Sequence, residues 1–140
     1  MSLLSKLGKR WEPADPSRLG IRDGRLAPCP RKPNCVSSQA ERPEQRVEPI
    51  ALGEEPAAGW EAAREILSRW SRTRIVVEEE GYLRAECRSL LGFVDDLELL
   101  LDREAGVLHL RSASRLGYQD FGVNRARVER LREELGAARK

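Results

Sequence analysis

Residues 93–112 have the sequence Phe-Val-Asp-Asp-Leu-Glu-Leu-Leu-Leu-Asp-Arg-Glu-Ala-Gly-Val-Leu-His-Leu-Arg-Ser, and this stretch decides the fold. Two runs rich in leucine and valine flank a polar segment, residues 103–106, that ends in glycine. This pattern predicts two antiparallel strands joined by a four-residue loop. The predicted register is defined by four pairs: Leu101 with Leu108, Leu99 with Leu110, Glu98 with Arg111, and Asp95 with Ser114.

Two further strands are predicted on the N-terminal side of this pair. Residues 75–77 and 83–89 flank Glu79-Glu80-Gly81, a three-residue hairpin loop in which the glycine is left-handed. The predicted pairs are Val77 with Leu83, Ile75 with Ala85, and Arg74 with Glu86. Before these strands, residues 57–72 carry apolar side chains at helical spacing, which predicts a helix.

A second helix is predicted after residue 123. Asn124 is a good N-cap, Val128, Leu131 and Leu135 form one apolar stripe, and Gly136 can end the helix. The predicted fold class is therefore α+β, an antiparallel four-stranded sheet with one helix before it and one after it. Both helices are expected on the face that carries the leucines, with the other face towards solvent.

All eight prolines lie in the first 56 residues. Proline lacks a backbone donor and disfavours helix interiors and central strands. We therefore expect three parts in the chain. They are a flexible basic N-terminal segment over residues 1–25, a proline-rich arm with a cysteine motif over 26–56, and an α+β core domain over 57–138.

Charge is distributed unevenly along the chain, although the net charge is only +2. Residues 1–35 carry +5, residues 36–110 carry −7, and residues 111–132 carry +4. Basic ends around an acidic middle favour pairing within the molecule, so we do not expect nucleic acid as a partner.

No apolar run approaches the ~18 residues that a membrane span requires. Lys6 and Lys9 interrupt the N-terminal leucines, so the apolar core of a secretory signal is lacking and we expect a cytoplasmic location. Residues 2–11 combine leucines and a tryptophan with basic side chains. Peripheral membrane contact through them is a minor alternative to a frayed terminus.

Residues 111–125 contain the candidate ligand site, since they leave a strand, turn at two glycines and enter the last helix. Arginine forks, serine hydroxyls and the N–H groups of a helix N-terminus bind phosphate or carboxylate. The candidate residues are Arg111, Ser112, Ser114, Arg115, Asn124, Arg125 and the inward-facing Asp95. The alternative is a structural ion network, because a buried Asp95 needs a partner and Arg115 or Arg125 is the obvious one.

Cys29 and Cys35 are the candidate disulfide or thiol pair. An oxidising compartment would join them, whereas the cytoplasm would usually keep them reduced. With Cys87 and His109 they make a three-cysteine, one-histidine set, but the spacing is not that of structural zinc sites. We therefore expect no metal and no cofactor.

Three segments of the chain resemble the bacterial and plastid family known as domain of unknown function 1499. They are Cys29-Pro30 followed by residues 33–38, residues 92–98, and the arginine-serine run 111–115 leading into 120–125. The resemblance spans roughly residues 26–135. It implies no particular activity, but it implies that the N-terminal arm docks near the arginine loop.

The sequence favours a small soluble domain that acts as a non-catalytic structural or protein-interaction module. One alternative is a binding module for a small anionic ligand at the arginine-serine loop; another is an enzyme of unknown reaction that uses Cys35 to Ser38. Asp95 and Asp96 point to opposite faces of a strand, so they cannot converge as a catalytic dyad. Asp96 and Glu98 are expected in solvated cross-strand charge pairs.

Overall fold

The computed structural model describes residues 14–138, and a six-stranded sheet organises them. In chain order, the strands are β1 (Ile21–Arg22), β2 (Arg25–Leu26), β3 (Cys35–Ser37), β4 (Ile50–Ala51), β5 (Thr73–Glu79), β6 (Tyr82–Arg88), β7 (Val94–Asp102) and β8 (Val107–Ser114). The order in the six-stranded sheet is β3-β8-β7-β6-β5, β4 pairs with the other half of β8, and β1 and β2 form a separate hairpin.

The predicted register of β7 and β8 is confirmed at all four pairs. Leu97 and Leu99 alternate along β7 with Asp96 and Glu98, so the strand presents one apolar and one charged face. A slip of one residue would exchange these two faces, which is why the side-chain pattern specifies the register so firmly.

The hairpin of β5 and β6 differs from the prediction at its tip. Arg74 pairs with Glu86 and Ile75 with Ala85 as expected, but Val77 lies opposite Arg84 rather than Leu83. A β-bulge between Ile75 and Val77 adds one residue to β5 and shifts the register. The loop consequently shortens to two residues, and Gly81 has the expected left-handed backbone with a φ of 76°.

Two helices, α1 (Pro56–Arg69) and α2 (Val123–Ala138), pack on the apolar side of the sheet, here called the helix face. Trp70 at the end of α1 joins them, because its Nε1 donates to Glu134 at 2.8 Å and Arg130 lies over its ring. Buried side chains from the sheet and both helices form one core that includes Leu67, Leu97 and Leu131.

The start of α2 corrects the prediction that Asn124 is its N-cap. Asp120 provides the cap, since its carboxylate accepts from the backbone N–H groups of Gly122 at 2.9 Å and Asn124 at 3.1 Å. Asn124 lies inside the helix and is completely buried. Gly136 does not end the helix, which continues to Ala138.

The sheet has six strands rather than the predicted four, because the proline-rich region contributes β3 and β4. Prolines flank β3 at Pro33 and Pro43 without interrupting it, so every residue from Cys35 to Ser37 keeps its backbone donor. Val36 pairs with Ser112 and Ile50 with Leu108, and both side chains enter the core.

We predicted that the second sheet face, here called the polar face, lies towards solvent, and this prediction is wrong. Gly20 donates its backbone N–H to Glu98 at 2.8 Å, and Arg111 donates to the carbonyl of Pro28 at 3.4 Å. The β1–β2 hairpin also contacts β7. The N-terminal region, residues 14–52, therefore covers charged side chains that alternation alone places on an open face.

Within the part of the chain that the structure describes, no helix has the length and apolar character to cross a membrane. The amphipathic stretch at residues 2–11 lies outside the described residues.

Leu52 tests whether the N-terminal region is part of the core. It is 2% exposed and packs so closely on α1 that a Cβ at Gly59 would lie 2.8 Å from its Cδ2. We expect Leu52→Ala to lower the free energy of unfolding by about 2–5 kcal/mol, measured by urea denaturation. Leu90→Ala is the control, because Leu90 is 85% exposed. A loss below about 1 kcal/mol for Leu52→Ala would contradict this packing.

Candidate functional site

Arg115, a predicted ligand-binding residue, is bound to two carboxylates on the polar face. Its Nε and Nη2 each lie 2.8 Å from an oxygen of Asp96, and Nη2 lies 2.6 Å from Glu86. Arg84 contacts the same Asp96 at 2.8 Å. The hydrogen bond that Arg115 donates to Asp96 is the largest of the effects that raise the pKa of Arg115. Asp96 is buried and its partners are partly buried rather than solvated, which corrects the expectation for Asp96.

Arg111 lies deeper on the same face, paired with Glu98 at 3.3 Å; the two side chains are 2% and 0% exposed. Glu98 also accepts from the Tyr82 hydroxyl at 2.6 Å. Burial, reinforced by Glu98, raises the pKa of Tyr82, and burial lowers the pKa of Arg111. The Glu98 carboxylate thus accepts hydrogen bonds from a tyrosine, an arginine and a backbone N–H.

The partner of Asp95 is Arg127, at 2.8 Å, and not Arg115 or Arg125 as predicted. Asp95 lies at the start of β7 on the helix face, where Arg127 of α2 reaches it, whereas Arg115 turns to the polar face. The two sides of the sheet therefore hold separate ion pairs, and the predicted cluster does not converge on one point.

Ser112, Ser114 and Asn124 belong to a hydrogen-bonded joint on the helix face. The Ser112 hydroxyl donates to Asn124 Oδ1 at 2.7 Å, and Asn124 Nδ2 lies 3.0 Å from the Ser114 hydroxyl. The same Nδ2 donates to the carbonyl of Asn34 at 3.2 Å. The Asn124 side-chain amide therefore links β8, α2 and the N-terminal region. Its hydrogen-bonding groups are already used within the protein and are not offered to a ligand.

Cys29 and Cys35 are joined by a disulfide, with their Cα atoms 5.7 Å apart. Cys87 is a separate buried thiol whose pKa is raised by burial. Among residues 14–138, no group of three or more His, Cys, Asp or Glu side chains is arranged to hold a metal ion. The disulfide also removes the Cys35 thiolate that an enzyme built on Cys35 to Ser38 would need as its nucleophile.

Sequence reasoning did not detect that Ser38 and His109 are in contact. The Ser38 hydroxyl lies 2.9 Å from His109 Nδ1, and Asp102 lies 4.0 Å from Nε2. A catalytic triad has its serine on Nε2 and its aspartate hydrogen-bonded to Nδ1, so this arrangement exchanges the two ring nitrogens. The hydroxyl also accepts from the backbone N–H of Leu110 at 3.0 Å. The cleft of about 510 Å³ beside His109 is not lined by Ser38, so a substrate there would not meet the hydroxyl. This contact fastens the end of β3 to β8.

Arg125 differs from the other candidate arginines because it lines an open groove of about 570 Å³. Its guanidinium donates to the carbonyls of Glu44 at 2.8 Å and Arg46 at 3.1 Å. The cationic groove, as we name it, is lined by Arg31, Lys32, Pro33, Cys35, Val36, Arg42, Glu44, Gln45, Tyr118, Gln119, Asp120, Phe121, Gly122 and Arg125.

Exposed apolar side chains gather at the same end of the sheet. Of the seven large hydrophobic residues exposed within residues 14–138, six lie in or beside the loops that follow β6 and β8. The two loops are adjacent, because Arg115 donates its backbone N–H to the carbonyl of Val94 at 3.1 Å. We name these six residues the apolar crest: Leu90, Leu91, Phe93, Tyr118, Phe121 and Val123.

Residues 25–135 match the family model described as Protein of unknown function (DUF1499). The chain belongs to this family. The resemblance noted in the sequence is therefore confirmed, and the matched span includes the cationic groove, the apolar crest and the ion pairs of Asp96 and Glu98. No curated protein and no solved structure matches the chain.

The pKa of Glu86 provides a test of the polar-face ion pairs. Burial raises this pKa, but the hydrogen bond and charge of Arg115, together with the charges of Arg84 and Arg88, outweigh burial and hold it below its ordinary value. As the pH falls, the unfolded chain therefore binds more protons at Glu86 than the folded chain does. Stability from Glu86 is present above its unfolded pKa of about 4.3 and is lost as the pH falls through the folded pKa.

We expect Glu86→Gln to destabilise the protein at neutral pH, and the difference from the native chain to shrink as the pH falls below about 4. Urea denaturation over a series of pH values measures this. Glu41→Gln is the control, since Glu41 is exposed and forms no ion pair within residues 14–138. A difference between Glu86→Gln and the native chain that stays constant with pH would contradict the assignment.

Proposed function

We propose that this family member is a non-catalytic protein-interaction module whose contact surface is the apolar crest. The observation that carries the proposal is the concentration of six exposed apolar side chains on neighbouring loops. Exposed apolar side chains that cluster in one region, rather than being scattered singly, mark interaction sites. Phe121 supports it further, because this 89% exposed aromatic has a left-handed backbone with a φ of 53°. Such strain persists where the surroundings impose it and clusters at functional sites.

The charged side chains support a structural role for the sheet rather than a catalytic one. Glu86, Asp96 and Glu98 each contact at least one arginine, and Asp95 contacts Arg127. Acid–base catalysis requires a carboxyl that can reach a substrate, and these groups are committed to one another. On this proposal, two of the predicted ligand contacts, Arg111 and Arg115, allow the polar face to be buried because they pair with its carboxylates.

A second candidate function is the binding of a small anion at the arginine-serine loop. One observation favours it, a cavity of about 210 Å³ lined by Arg18, Arg111, Ser114 and Arg115. Within the described residues, Arg111 Nε is buried without a hydrogen-bond partner. Asp15 and Asp96 line the same cavity, which weakens its attraction for an anion.

The location of the protein and the division of the chain remain predictions. A cytoplasmic location was expected from the sequence, while the Cys29–Cys35 disulfide favours an oxidising compartment. The division into residues 1–25, 26–56 and 57–138 likewise stays a proposal about how the chain is organised.

The crest is tested with the variant Leu90→Ser/Leu91→Ser. The biotinylated protein is used to capture partners from a lysate of the source cells, and the captured proteins are quantified by mass spectrometry. We expect a protein that the native chain captures to fall at least about tenfold with the variant, since central apolar contacts carry most of the binding energy.

Ile21→Ser is the matched control for the crest variant. Ile21 is also a partly exposed apolar residue, at 43%, but it lies in the β1–β2 hairpin away from the crest. Both variants should keep the native melting temperature, because the substituted side chains are exposed. A set of captured proteins that is the same for the native chain and both variants would refute the proposed function.

A further inference from the structure

The cationic groove lies beside the apolar crest and shares Tyr118 and Phe121 with it. Three pieces of chain form its walls: the loop before β3, the 3-10 turn Pro43–Gln45, and the loop before α2. Hydrogen bonds hold these walls together. Gln45 Nε2 donates to the carbonyl of Pro30 at 2.7 Å, and Asp120 donates its backbone N–H to the carbonyl of Pro33 at 3.3 Å.

Four basic side chains line this groove: Arg31, Lys32, Arg42 and Arg125. None of them forms an ion pair with a carboxylate of residues 14–138. This separates them from Arg111, Arg115 and Arg127, each of which contacts at least one acidic side chain. The groove therefore presents four cationic groups that form no ion pair within the described residues, alongside two carboxylates, Glu44 and Asp120.

Two of the cationic groups are held in place before any ligand binds. Arg125 is fixed by the carbonyls of Glu44 and Arg46, and Arg42 donates to Gln45 Oε1 at 3.1 Å. A guanidinium that is already held in position loses less conformational entropy when a ligand binds. A planar guanidinium is also suited to carboxylate oxygens, which it can contact in pairs.

We propose that the cationic groove binds an acidic segment of a partner polypeptide. Carboxylates of the segment pair with Arg31, Lys32 and Arg125, and an apolar side chain of the same segment packs against Tyr118 or Phe121. This inference rests on the proposed function and names the chemistry of the partner. The groove volume of about 570 Å³ lies within the range of ligand-binding clefts.

An acidic peptide fits the groove better than a nucleic acid does. Glu44 and Asp120 also line the groove, so a continuous row of phosphates would meet negative charge between the basic groups. The carboxylates of a peptide are spaced by its sequence and can avoid these two positions. The net charge of only +2 gives the molecule little long-range attraction for nucleic acid.

Fluorescence anisotropy tests the inference with a labelled peptide, Glu-Glu-Leu-Glu-Glu-Phe-Glu-Glu. The same peptide with glutamine in place of every glutamate is the ligand control, and a labelled single-stranded oligonucleotide tests the other class of partner. We expect the full chain to bind the acidic peptide, more weakly as salt rises, and to bind the glutamine peptide at least about tenfold more weakly.

The protein variant for this test is Arg31→Glu/Lys32→Glu. Its matched control is Arg69→Glu/Arg103→Glu, which changes the net charge equally at two exposed arginines outside the groove. We expect the groove variant to lose at least about tenfold in affinity for the acidic peptide, and the control to lose much less. Equal losses in both variants, no binding of the acidic peptide, or tighter binding of the oligonucleotide would each overturn the inference.

The outcomes separate this inference from the proposed function. If the acidic peptide does not bind while Leu90→Ser/Leu91→Ser still loses a captured protein, the inference fails and the crest proposal stands. If the groove variant loses the peptide while the crest variant captures the same proteins as the native chain, the crest proposal fails and the groove is a peptide site on its own.

Discussion

The structure depends on burying the charged side of β7. Asp96 and Glu98 alternate with leucines that the core requires, so the strand cannot bury one set without carrying the other. A buried carboxylate without a partner costs several kcal/mol, and Arg115 and Arg111 provide those partners at 2.8 and 3.3 Å. The N-terminal region completes the arrangement by closing over the pairs and donating a backbone N–H to Glu98.

This constraint also decides where function can lie. Arg111 and Arg115 are already paired with the buried carboxylates of Glu98 and Asp96, and the disulfide joins both cysteines of the N-terminal motif. The remaining chemistry lies at the end of the sheet, where Phe121 and Leu90 are exposed and Arg31 and Lys32 have no acidic partner among residues 14–138. Interaction through these loops is compatible with a rigid sheet behind them.

The sequence predicts the β7–β8 register because alternation, loop length and charge pairing agree there. It does not predict β3 or β4, since strands of three and two residues between prolines have no measurable periodicity. The sequence does not identify Arg127 as the partner of Asp95, because this contact depends on where α2 packs against the sheet. The sequence does not predict the apolar crest, because a leucine or phenylalanine in a loop gives no local sign of whether it is buried.

A double-mutant cycle with Glu98→Gln and Arg111→Met tests whether Glu98 and Arg111 stabilise the fold as a pair. The free energy of unfolding is measured for the native chain, both single variants and the double variant by urea denaturation. We predict that the double variant loses about 1–3 kcal/mol less than the sum of the single losses. Losses that add within about 0.5 kcal/mol would mean that the two side chains act independently, and would contradict the account.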